Sequence, residues 1–153
     1  MRNFLHLFSN FNPMKLNKSI KSVFVILVLA LSSCHSTYSM KYDIDGISAE
    51  GAEAEVSYRD GKISQSITHI YGETGRASIA YHFEKDKIKV LEKMYSYKTA
   101  IDEVKSDKDM VLDYEISYFI DYNGKVIGKE NPDRFDIFTE FKEAVPFEIK
   151  TKK

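Results

Sequence analysis

The feature that most restricts the fold of this chain is a two-residue alternation of apolar side chains, which recurs in three stretches. Alternation puts every second side chain on one face, so it predicts strands that are buried on one side. In the clearest stretch, Met110 to Ile120, the alternation runs over eleven residues before the turn sequence Tyr122-Asn123-Gly124-Lys125. Asn-Gly favours a type I′ hairpin turn, because both residues tolerate positive φ angles.

Two earlier stretches repeat the pattern and predict two more hairpins. In the first, Ala52 to Tyr58 leads through an Asp-Gly turn into a return strand on which Ile63, Ile67 and Tyr71 face the same side. In the second, Ala77 to Phe83 leads through Glu-Lys-Asp-Lys into Ile88 to Met94. Three hairpins predict an antiparallel meander of about six strands. The charged connection 96–109 is long enough for one helical turn.

The end of the chain changes to a helical period. Asn131 is a suitable N-cap and Pro132 a suitable first residue. Apolar residues then recur at intervals of three and four up to Pro146, namely Phe135, Phe138, Phe141 and Val145. The predicted fold class is therefore α+β, with one C-terminal amphipathic helix packed on the sheet.

The beginning of the chain has the organisation of a secretion signal. Three lysines precede the nine-residue apolar run Val23 to Leu31, and the small residues Ser32 and Ser33 follow it. Nine residues cannot cross a bilayer core that requires about 20. We therefore predict a signal peptide over residues 1–33, and we interpret Met1 to Pro13 as the product of a start codon placed too early.

Leu31-Ser32-Ser33-Cys34 resembles the bacterial lipobox, in which the cysteine thiol receives a diacylglycerol before cleavage. The resemblance implies that Cys34 is the lipid attachment site of a lipoprotein. The alternative is an ordinary signal with a coincidental cysteine. With one cysteine in the chain, an internal disulfide has no second partner. His35 is not the aspartate that favours inner-membrane retention, so we expect a periplasm-facing protein of the outer membrane.

We expect residues 34–45 to form a lipid-anchored tether and residues 46–153 to form one β-rich globular domain. Removal of residues 1–33 takes away four basic residues and no acidic ones, which leaves 18 basic against 23 acidic residues. A net charge near −5 argues against nucleic acid as a partner, since such binding needs a basic patch. It favours a basic partner in the cell envelope.

Two segments carry a further resemblance: "EGAEAEVSY", Glu50 to Tyr58, and "IYGETGRASIAYHF", Ile70 to Phe83. They are similar to small β-rich bacterial envelope proteins that have a Tyr-Gly-Glu-Thr-Gly turn. The resemblance implies a secreted β-rich domain. It implies no catalytic residues.

The residues with reactive or ligating side chains suggest no catalytic set. His69 and His82 fall in different hairpins and have no cysteine to complete a zinc site, so we expect neither metal nor cofactor. Glu53 and Glu55 share a strand face at a spacing that glycoside hydrolysis could use. The predicted function is nevertheless a non-catalytic binding module for a macromolecular partner, with Glu53, Glu55 and Glu73 as candidate contacts. A small-ligand carrier or a carboxylate-based hydrolase is the alternative.

Overall fold

The computed structural model describes residues 36–128 and 133–150. They form one seven-stranded antiparallel sheet in which each strand pairs with its neighbour in sequence, together with one short helix that we call α1. This confirms the predicted meander with a C-terminal helix. The strands are β1 Thr37–Asp43, β2 Ala52–Arg59, β3 Lys62–Tyr71, β4 Gly75–Phe83, β5 Ile88–Tyr97, β6 Met110–Ile120 and β7 Val126–Ile127, and helix α1 is Phe138–Ala144. Two 3₁₀ turns, Ile101–Glu103 and Asp107–Asp109, lie in the connection between β5 and β6.

The core lies on one side of the sheet, which we call the covered face. Its side chains from β2 are those predicted, Ala52 to Tyr58 at every second position, and all are buried. Phe138 and Phe141 of α1 pack on Tyr81, at ring-centre distances of 5.4 and 5.0 Å. The opposite side of the sheet carries Glu53 and Glu55, and we call it the open face.

Helix α1 is shorter than predicted. It begins at Phe138, and the predicted cap and first residue, Asn131 and Pro132, lie outside the described residues. The described residues before the helix are not helical because their backbone is held by the sheet: the Phe135 N–H donates to both carboxylate oxygens of Glu92, at 3.2 Å each. Phe135 is consequently partly exposed rather than part of the helical apolar stripe.

A bulge in β3 reverses the alternation predicted for that strand. Ile63 pairs with Tyr58, but Gln65 pairs with Ser57, so Ser64 is an extra residue in the ladder. One extra residue moves every later side chain to the other face. Ser66 and Thr68 are therefore buried on the covered face, and Ile67, which we predicted to be in the core, is 46% exposed on the open face.

A second bulge has the same effect in β6. Tyr114 pairs with Met94, whereas Leu112 pairs with Tyr95, which makes Asp113 the extra residue. Met110 and Leu112 therefore lie on the open face, while Tyr114 lies on the covered face. The continuous apolar face predicted from Met110 to Ile120 is thus divided between the two sides of the sheet.

The two tight turns differ from each other. Asp60 and Gly61 have φ angles of 53° and 80°, as expected for a type I′ turn. At Asn123-Gly124 that prediction is wrong, because only Gly124 has a positive φ, of 89°. The Asp121 carboxylate accepts from the N–H groups of Asn123 and Lys125, and this favours a three-residue loop with glycine in the left-handed position.

The interval predicted as a tether contains strand β1 in its described part. Thr37 pairs with Arg59 in the ladder. The Ser36 N–H donates to the Asp60 carboxylate at 3.2 Å, and the Asp60 N–H donates to the Ser36 carbonyl at 2.9 Å. The prediction missed this strand because its side chains are mostly polar and exposed, as edge strands allow. The signal segment and Cys34 lie outside the described residues.

The meander gives the sheet two different ends. The turn end consists of the tight connections 60–61, 84–87 and 121–125, and β1 begins there. The loop end consists of the connections 44–51, 72–74 and 98–109, of which the first and the last are long. Acidic residues exceed basic residues at the loop end by seven to three, whereas the turn end has four acidic and three basic residues. The acidic residues of the loop end are Asp45, Glu50, Glu73, Asp102, Glu103, Asp107 and Asp109.

Candidate functional site

The three predicted contact residues do not form one group. Glu53 and Glu55 lie on the open face, on alternate positions of β2, whereas Glu73 lies in the connection after Tyr71, at the loop end. Glu53 forms an ion pair with Lys41, with 2.8 Å between Oε1 and Nζ. Lys41 also lies directly opposite Glu55 in the strand ladder. The carboxylates that sequence spacing suggested as a hydrolytic pair are thus neighbours of a lysine on an open sheet.

His69 and His82 lie on adjacent strands but not beside each other. His69 is opposite Ser78, and His82 is opposite Gln65, four residues along β3. Burial, and after it the nearby Arg76 guanidinium, lowers the pKa of His69. Among residues 36–128 and 133–150, no group of three or more His, Cys, Asp or Glu side chains is arranged to hold a metal ion.

A cleft of about 470 Å³ lies at the loop end of the open face. Its floor comes from the ends of three strands, with Tyr71 from β3, Arg76 from β4 and Tyr97 from β5. The connection 98–109 closes one side with Ile101 and Val104. A concave site that combines apolar walls with a few convergent polar groups is typical of ligand-binding sites.

Arg76 is the central polar group of this cleft. Its side chain is 18% exposed, and its Nη2 lies 3.2 Å from Oδ1 of Asp107 in the connection. Its guanidinium carbon lies 5.5 Å from the centre of the Tyr95 ring, a distance that permits a cation–π interaction. The Nε atom is buried and has no hydrogen-bond partner among the described residues.

The cleft has charged side chains of both signs as well as aromatic ones around Arg76. Glu50 lines it from the loop before β2, and Lys105 and Asp107 line it from the connection. Burial raises the pKa of Tyr97, and Arg76 lowers it in part. Tyr97 therefore keeps its proton at neutral pH and can donate a hydrogen bond.

Sequence reasoning missed Arg76 and the cleft. The available signal was the length of the connection 96–109, which exceeds what a hairpin needs. The second bulge completes the site, because it turns Met110 toward the open face, where it lines the cleft. Nothing in the alternation of β6 indicates that bulge.

A second unpredicted feature is a buried carboxylate on the covered face. Glu92 is 0% exposed and accepts hydrogen bonds from the hydroxyls of Tyr114 and Tyr118, at 2.9 and 3.4 Å, and from the Phe135 N–H. Burial, with Glu92 as a further cause, raises the pKa of both tyrosines to about 12. The sequence signal for this carboxylate was an acidic residue at a position of β5 where the alternation predicts an inward-facing apolar side chain, between Val90 and Met94.

The comparisons with known proteins identify no relatives: no protein-family model, curated protein or solved structure matches the chain. In the part of the chain that the structure describes, no helix is both long and apolar enough to cross a membrane. A functional interpretation therefore depends on the residues themselves.

Proposed function

We propose that the protein is a lipid-anchored, non-catalytic binding module of the cell envelope, which presents its loop end to a basic macromolecular partner. The anchor is Cys34, on the basis of the lipobox resemblance, and the location is the periplasmic side of the outer membrane. The resemblance to small secreted β-rich envelope proteins is consistent with this function.

The observation that carries the proposal is the uneven charge of the two ends. The loop end has an excess of four negative charges, and the strand nearest the anchor begins at the opposite end. Only His35 and Ser36 separate Cys34 from Thr37, so a lipid on Cys34 would hold the start of β1 within about 11 Å of the attachment point. Strand β3 has ten residues, which corresponds to about 30 Å between the two ends. The acidic end would therefore face away from the membrane.

Acidic loops increase the association rate of a basic partner and make binding sensitive to salt. Among the three candidate contacts, Glu73 belongs to this loop end. Glu53 and Glu55 would contribute at the open face, beside Lys41, and this makes them weaker candidates for attracting a basic partner.

The anchor is tested by Cys34→Ala in the full chain. The substitution should abolish metabolic labelling with palmitate and release the protein from the membrane fraction, because the thiol is the attachment atom. Labelling that survives the substitution would show that the lipid is attached elsewhere, and a wild type without label would show that it has no lipid.

The partner is tested by capture from envelope extract with the full chain in mild detergent. A loop-end variant carries Asp45→Asn, Glu73→Gln, Asp102→Asn and Glu103→Gln. A control variant removes the same charge elsewhere, through Glu84→Gln, Asp86→Asn, Glu143→Gln and Glu148→Gln. We expect a basic protein that the wild type and the control capture, that the loop-end variant loses, and that dissociates above about 0.15 M salt, where the screening length is about 8 Å. Equal loss in both variants would contradict the proposal.

A further inference from the structure

The cleft at the loop end has one strong anion-binding group whose hydrogen-bonding capacity is largely unused. A guanidinium has five N–H donors in a planar fork. The structure gives Arg76 one ion-pair contact, from Nη2 to Asp107, and its buried Nε has no partner among the described residues. Buried donors are normally satisfied, so this unused donor of a residue that lines the cleft indicates a missing partner.

Asp107 is a replaceable partner for Arg76. Its side chain is 85% exposed, and it sits in a short 3₁₀ turn of the connection. Its carboxylate has one ion-pair contact with Arg76 and is otherwise in solvent, so a ligand carboxylate that binds two donors of the guanidinium can displace it. Oδ1 of Asp107 lies 3.2 Å from Nη2, at the place where an oxygen of a ligand carboxylate would bind.

The charge of the surroundings favours a ligand with a single negative charge. Glu50 and Asp107 line the cleft together with Lys105, and the connections of the loop end as a whole have more acidic than basic residues, so a phosphate dianion is disfavoured relative to a monoanion. A carboxylate carries one charge, and its two oxygens match the fork of an arginine. Tyr71 and Tyr97 also line the cleft, and each has a hydroxyl that can donate a hydrogen bond.

The apolar side chains that line the cleft favour a ligand with an apolar group next to its carboxylate. Ile101, Val104 and Met110 line the same cleft as the arginine. A volume of about 470 Å³ falls within the range of small-molecule sites.

We propose that this cleft binds a carboxylate that carries an apolar group, with Arg76 as its anchor and Asp107 as the internal carboxylate that it displaces. The ligand is either a free organic acid or the C-terminal residue of a peptide, since both present the same chemistry. This site is independent of the lipid anchor and of a partner at the exposed loop carboxylates.

The proposal is tested by isothermal titration calorimetry on the full chain in detergent micelles, with N-acetyl-L-phenylalanine as the probe and empty micelles as the blank. The matched control is N-acetyl-L-phenylalanine amide, which has the same apolar group and no charge. We expect the acid to bind at least about tenfold more tightly than the amide. The Nε–H resonance of Arg76 in ¹⁵N NMR should shift with the acid alone. Equal binding of the two compounds, or no binding of the acid, would overturn the proposal.

Variants separate the site from non-specific attraction. Arg76→Met should reduce binding of the acid to the level of the amide, while Arg59→Met, at the turn end, should leave it unchanged. Asp107→Ala should tighten binding about two- to fivefold, since it removes the competing carboxylate, and Asp102→Ala in the same connection should not. The aspartate pair decides the question even if Arg76→Met fails to fold: equal effects of the two substitutions would refute displacement at Arg76.

The tripeptide Gly-Ala-Phe with a free C-terminus distinguishes the two sources of the carboxylate. If it binds more tightly than N-acetyl-L-phenylalanine, the natural ligand of the cleft is a peptide C-terminus. If it binds no more tightly, the cleft takes free acids.

Discussion

Glu92 joins the sheet to the segment that leads into α1. Its carboxylate accepts from two tyrosine hydroxyls of β6 and from the Phe135 backbone, so it connects three parts of the chain. A buried acceptor with several donors is costly to remove, because each donor is left without a partner. The position of Glu92 in β5 could be recognised from sequence as a charged residue in an apolar phase. Its partners could not, because they depend on how the C-terminal segment crosses the sheet.

We predict that Glu92→Ala lowers the free energy of unfolding by about 2–4 kcal/mol, measured by urea denaturation. Glu92→Gln should lower it less, because one oxygen acceptor is kept. The control is Glu115→Ala, which removes an exposed carboxylate of the neighbouring strand that is paired with Lys93 at 2.8 Å, and should change stability by at most about 1 kcal/mol. Similar losses for Glu92→Ala and Glu115→Ala would contradict the assigned role.

Thr68 illustrates a cost of the first bulge. The bulge brings its hydroxyl to the covered face, where the side chain is buried and Oγ1 has no hydrogen-bond partner among the described residues. We predict that Thr68→Val, which keeps the shape and removes the hydroxyl, raises the free energy of unfolding by about 1 kcal/mol. Thr74→Val, at an exposed position of the loop end, is the control and should have little effect. A loss of stability with Thr68→Val would show that the hydroxyl has a partner.

At the scale of elements, strand positions follow from sequence better than strand faces do. The bounds of β2, β4 and β6 agree with the alternation, because apolar spacing and turn residues act locally. The faces of β3 and β6 do not, because Ser64 and Asp113 each insert one residue into a ladder. Both bulged residues are polar residues at ordinary outward positions, so no local signal marks them. The cleft depends on the second of these bulges.

The connection between β6 and β7 yields a prediction about Gly124. Gly124 has a positive φ, and a Cβ added to it would lie 2.9 Å from Cδ1 of Phe138, a core residue of α1. Gly124→Ala should therefore destabilise the fold more than Gly46→Ala, whose Cβ would meet nothing within 4 Å at a similar φ of 80°. We expect losses of about 2–3 kcal/mol and about 1 kcal/mol, respectively, in urea denaturation. Equal losses would show that α1 does not rest against this turn.

At the scale of the whole molecule, the meander was predictable because every strand pairs with its neighbour in sequence. The number of strands was underestimated by one, since β1 has an edge position and few buried side chains. The distribution of charge between the two ends was not predictable from composition. It depends on which connections share an end of the sheet, and it is the basis of the proposed binding end.

The central claim is that the domain stands on the membrane with its turn end down and its acidic loop end outward. The most direct measurement uses the full chain in liposomes, in which the proposed acylation would occupy Cys34 and a new cysteine accepts a fluorophore. Lys62→Cys places the label at the turn end, and Glu73→Cys places it at the loop end; both native side chains are exposed. With a quencher attached to lipid headgroups, we predict strong quenching of the label at position 62 and little at position 73. Equal quenching, or stronger quenching at position 73, would contradict the account.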